Sequence, residues 1–182
     1  MYTRQGVHLL IAIAAGLAFS STASAQTSIT LPDTSQTTVV TASVPEQATV
    51  TVPATLTFTV NSDAVSNTAN AAVTVTNIAL ATATKQLQIS LQANAASFTP
   101  PVVGAVTWSA SDVSWAAGTW TSGTGAAGTL SNTSYTNVAT CAAGSSGCSI
   151  AGLTFTLAAK SSVAISGNHT LTMTWKFASI GS

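Results

Sequence analysis

Cys141 and Cys148 are the residues of this chain best placed to do chemistry. They bracket the loop CAAGSSGC, and two cysteines so close together pair with each other in an oxidising compartment. The chain-entropy model assigns about 2–3 kcal/mol to so short a closed loop. The spacing is wider than the C-x-x-C of redox-active pairs. Zinc lacks a ligand set, because His169 has no partner at ligand spacing. The expected role is a disulfide that staples a loop.

Acid–base chemistry has little to draw on. Asp33, Glu46, Asp63 and Asp112 are scattered, and no two have the spacing that would suggest a carboxylate pair across a cleft. Asp63 and Asp112 sit where aspartate ordinarily bonds turn backbone. Asn61 and Asp63 hold oxygen atoms of the kind calcium takes, but calcium needs several such ligands. No G-x-S-x-G elbow is present. His169 follows a turn and opens a strand-like segment; catalysis would also require an aligned nucleophile and an orienting group. Lys85 shares the parity of Leu87 and Ile89, the placement a lysine–asparagine isopeptide crosslink would need, although buried lysine is rare. No catalytic residue, metal or cofactor is expected.

The aromatic residues carry more information. Trp108, Trp115, Trp120 and Tyr135 fall close together in the chain. Exposed indoles form stacking platforms for sugar rings. Trp108, Trp115 and Trp175 share parity with apolar neighbours and are expected in the core. Trp120 stands in GTWTSGTGAAG without apolar alternation, so it is the candidate exposed residue for a polysaccharide, with Tyr135 as helper.

The segments that must position these groups alternate with a period of two. In HTLTMTWKFAS, Leu171, Met173, Trp175 and Phe177 share one parity and threonines and Lys176 the other, giving one buried and one wet face. Val50 and Val52 share parity with Leu56, Phe58 and Val60, so two strands are expected around a kink at Pro53. Residues 61–70 read as a turn-rich connection. Val73 and Val75 lose parity with Ile78 and Leu80, which predicts a bulge near Asn77. Leu87, Ile89 and Leu91 form a strand, as do Leu153, Phe155 and Leu157. Shorter strands are expected at Val106–Ala110, Val113–Trp115, Tyr135–Ala139 and Val163–Ile165, with a glycine-rich turn over 118–128. Eight to ten strands without helical periodicity predict an all-β fold, a single antiparallel β-sandwich, Ig-like or jelly-roll-like, over residues 44–182.

Residues 1–25 read as a signal peptide: Arg4, the apolar run Val7–Phe19, and Ala23-Ser24-Ala25 before Gln26. Residues 26–43 form a Thr/Ser-rich leader with a candidate strand over 37–44. That segment could add to a neighbour's open sheet edge or pair within its own domain. Charged residues are 4% of the chain, against about 25% in ordinary proteins. After residue 25 three lysines face four carboxylates, a net charge of −1. Such a surface offers phosphates nothing, so no nucleic-acid partner is expected, and it repels copies of itself only weakly. Once the signal is removed, no further run is long enough for a membrane span.

The segments VPATLTFTV, ASDVSW and HTLTMTWKF resemble secreted bacterial surface β-sandwich proteins, of the WxL-type wall-binding kind and of the fimbrial or coat-subunit kind. Where WxL-type domains carry Trp-x-Leu, this chain has Trp115-Ala116-Ala117 and Trp175-Lys176-Phe177. The Ala-Ser-Ala-Gln region resembles a Gram-negative signal. The expectation is a non-enzymatic structural or adhesive protein, secreted, cell-surface or periplasmic. It would associate with itself or with other surface proteins. The alternative is a carbohydrate- or cell-wall-binding module.

Overall fold

The computed structural model describes residues 28–61 and 66–181. The expected signal peptide, Gln26 and Asp63 lie outside them. The chain divides into two compact units, Met1–Ala42 and Ser43–Ser182. Within residues 28–42 there is no strand. Asp33 organises a local turn there, accepting from the Ser35 N–H at 2.8 Å and from the Gln36 side-chain amide at 2.7 Å. The candidate strand over 37–44 does not form. Half of its residues are polar, and it has no ladder partner among the described residues.

The second unit is all-β, with no α-helix among its described residues. Its strands are β1 (Gln47–Thr51), β2 (Asn67–Ala79), β3 (Gln86–Ala93), β4 (Val113–Trp115), β5 (Gly123–Gly125), β6 (Gly128–Thr129), β7 (Thr136–Cys141), β8 (Cys148–Leu157) and β9 (Met173–Ile180). They form two antiparallel sheets, ordered β1-β2-β8-β4-β6 and β5-β7-β3-β9. From β3 onward each strand lies in the sheet opposite its predecessor. Only β1 and β2 are neighbours both in sequence and in a sheet.

Alternation decides which residues hold the sheets together. Val73 and Val75 of β2, Leu87, Ile89 and Leu91 of β3, and Leu153 and Phe155 of β8 all belong to one buried cluster that both sheets line. Burying each such side chain contributes about 1.5–3 kcal/mol. The parity break at Asn77 is a bulge. Gln47 pairs with Ala79 and Thr49 with Thr76, so β2 carries an extra residue there, and Asn77 has φ +52°. Asparagine tolerates that region better than most residues.

Several boundaries differ from the sequence reading. β2 begins at Asn67, inside the expected connection. Residues 52–60 continue β1 as an alternating run without any ladder pairing; Val52, Leu56, Phe58 and Val60 still pack on the core. Pro53 has no N–H to give a ladder, and pairing stops just before it. Val106–Ala110 forms no strand: Val106 is exposed, and Ala110–Asp112 makes a 3₁₀ turn. Asp112 closes that turn by accepting from the Ser109 N–H at 2.7 Å. Val163–Ile165 is likewise not a strand.

Candidate functional site: an open sandwich edge

The structure corrects the placement of Trp120. Its side chain is buried, at 6% exposure, and its indole N–H donates to the Ala117 carbonyl at 3.2 Å. The reason lies in the surrounding glycines. A Cβ on Gly125 would overlap the Ala117 carbonyl and stand 2.8 Å from the Trp120 ring. A Cβ on Gly128 would stand 2.5 Å from the ring of Trp115, its ladder partner. The stretch that reads as a flexible turn seats two indoles against bare backbone. Tyr135 is exposed and carries the Lys176 ammonium 5.2 Å from its ring centroid. The two residues therefore do not make one exposed aromatic platform.

Trp108 and Trp115 are buried, as their parity predicts. Each gives its indole N–H to a carbonyl at 3.0 Å, of Ala158 and Ala126 respectively. His169 acts as a clasp. The carbonyl of Ile165 can only accept, so in the neutral ring Nε2 carries the proton and donates at 3.1 Å. Nδ1 then accepts from the Thr107 hydroxyl at 2.7 Å. The ring stands edge-on to Trp108, with centroids 5.2 Å apart.

Each remaining described carboxylate is held ionised by local donors. The Ala81 N–H and then the Lys85 ammonium, 2.9 Å away, hold Glu46 below the usual carboxylate range. Burial pushes Asp112 up, but Lys160, at 2.9 Å, and the Ser109 N–H outweigh it and lower it. Ser35 and Gln36 lower Asp33. A carboxylate held in this way is a poor general acid near neutrality. Lys85 turns to Glu46 rather than to an asparagine. Among the described residues no three His, Cys, Asp or Glu side chains gather to hold a metal.

Cys141 and Cys148 form the disulfide, with Cα atoms 5.7 Å apart. Cys141 ends β7 in one sheet and Cys148 opens β8 in the other. The bridge thus ties the two sheets at a corner. A cavity of about 310 Å³ lies against it, lined in part by Leu80, Lys85, Leu87 and Ser145.

The sandwich is not sealed evenly. β1 and β9 are edge strands of opposite sheets, and a second cavity of about 340 Å³ opens between them. Glu46, Ala48 and Val50 line it from one side and Phe177 and Ser179 from the other, with Leu87 among its lining residues. Residues paired across a ladder share a face, so Val50, opposite Val75, points inward. Val75 is 1% exposed, whereas Val50 is 41% exposed. The same contrast runs along β9. Trp175 pairs with Leu91 and Phe177 with Ile89; the β3 residues are fully buried and the β9 residues only half-buried. The inward face thus continues to this edge, where among the described residues β9 has β3 as its one ladder partner and its inward side chains stay half-buried. Sequence parity marked these residues as inward. It carried no sign that they form an edge, because strand order is not written in alternation.

No protein-family model, curated protein or solved structure matches the chain.

Proposed function

We propose that the protein is an exported, non-enzymatic structural subunit, an Ig-like sandwich that assembles with its neighbours through the β1–β9 edge. One observation carries this reading: Met173, Trp175 and Phe177 pack on the core yet stay half-exposed on a strand with one ladder partner. Such an edge offers both free backbone groups and apolar side chains, a combination that templates association. The near absence of charge lowers the electrostatic cost of bringing copies together. The disulfide suits an oxidising, extracellular or periplasmic setting. Among the described residues no helix is long and apolar enough to cross a membrane.

The polysaccharide reading loses the exposed indole it was built on, because Trp120 is buried. Size-exclusion chromatography with light scattering tests the assembly reading. Oligomers or fibres at micromolar concentration are expected; a monomer at every concentration would overturn it.

A further inference from the structure

We infer that residues 37–44 of a second copy of this chain occupy the open edge, adding as a strand beside β9. The inference rests on the assembly reading above and names the element that performs it. Residues 37–44 read TTVVTASV and form no strand in their own chain. Val39 and Val40 are 89% and 91% exposed, and Val44 is exposed too. In an extended conformation Thr38, Val40, Ala42 and Val44 fall on one face, and Thr37, Val39, Thr41 and Ser43 on the other. The first face matches the half-buried row of β9, and the second is mostly polar, like the outward Thr174 and Lys176.

Length and charge also fit. β9 has 8 residues, and residues 37–44 span the same extended length of about 26 Å. Between Asp33 and Glu46 the chain has no charged residue, so the added strand would bury no ion.

A second copy is the favoured occupant because a tight return of the segment onto the adjacent strand β1 is obstructed and the segment pairs with no strand of its own chain among the described residues. Val44 joins β1 through Pro45 and Glu46 alone. The two-residue turns that close hairpins require positive φ at their first central position, and proline cannot adopt it. Glu46 is also anchored by Lys85 and by the Ala81 N–H. The segment is therefore kept from returning to its own domain as a tight hairpin on β1.

Two sets of exposed-site variants of the exported protein test this. The first is Val40→Asp with Val44→Asp, followed by light scattering. The second mixes a Thr41→Cys protein with a Lys176→Cys protein and reads crosslinked dimers on non-reducing gels. The expected result is loss of the oligomer in the first, and in the second a mixed dimer well above either protein alone. Oligomers that survive Val40→Asp with Val44→Asp overturn the inference while leaving assembly through the edge intact. A monomeric wild type whose Thr41→Cys/Lys176→Cys double variant crosslinks within one chain also overturns it, because the segment then covers its own edge. A wild-type monomer without that crosslink removes the assembly reading as well.

Discussion

Trp175 stands directly across the ladder from Leu91, and only Leu91 is fully enclosed. The two side chains belong to the same inward face, so the difference arises from position in the sheet. β3 is flanked by β7 and β9, whereas β9 has β3 alone. Leu91→Ala should destabilise the fold by about 2–5 kcal/mol. Trp175→Ala should cost less than the roughly 3–5 kcal/mol of an enclosed tryptophan, while sharply weakening self-association. Urea unfolding paired with light scattering separates the two effects. Equal stability losses for both variants, with association unchanged, would count against a functional edge.

The contact between Gly128 and Trp115 makes a second expectation. Gly128→Ala places a methyl group against an indole that is fixed by its bond to Ala126. Overpacking of this kind costs about 1–3 kcal/mol. Gly152→Ala, where no atom lies within 4 Å of the added Cβ, serves as the comparison in thermal unfolding. A Gly128→Ala protein that melts with the wild type would show that the indole is free to move.

The disulfide joins the sheets where β7 hands over to β8. Replacing Cys141 and Cys148 with alanine should lower stability by about 2–3 kcal/mol and leave the β-rich circular dichroism spectrum in place. Unfolding by a mild reductant alone would mean the bridge carries more than closure of a short loop.

Acid should loosen the domain at two points. Asp112 and Glu46 have folded-state values below their ordinary ones, so protons bind the unfolded chain more tightly in this range. Their stabilisation is complete above the ordinary carboxylate range and disappears as pH falls through and below it. The Asp112–Lys160 pair is partly exposed, at 23% and 31% of its side-chain surfaces, and contributes about 1 kcal/mol or less. The melting temperature is therefore expected to fall modestly between pH 6 and pH 3, and Asp112→Asn should flatten part of that slope. An unchanged slope in Asp112→Asn would remove that carboxylate from the explanation.

Much of the fold is readable from alternation alone. Leu87, Ile89 and Leu91, or Leu153, Phe155 and Leu157, announce their strands because a buried face demands one parity. Even the bulge at Asn77 shows as a parity break. The open edge is different. Trp175 and Leu91 have the same local pattern, and only the sheet order, set by strands far apart in sequence, makes one central and the other marginal. Because successive strands after β2 alternate between sheets, adjacency in sequence gave no guide to adjacency in space. Trp120 departs from its sequence pattern for a related reason. The glycines around it suggested a solvent-exposed turn, whereas Gly125 and Gly128 are small so that two rings can approach the backbone.

Hydrogen exchange along β9 at increasing protein concentration is the most direct measurement. Half of that strand's amides point away from β3, its one ladder partner. Assembly through this edge predicts that exchange at those amides slows as concentration rises, while β3 stays protected throughout. Exchange in β9 that is independent of concentration would contradict it.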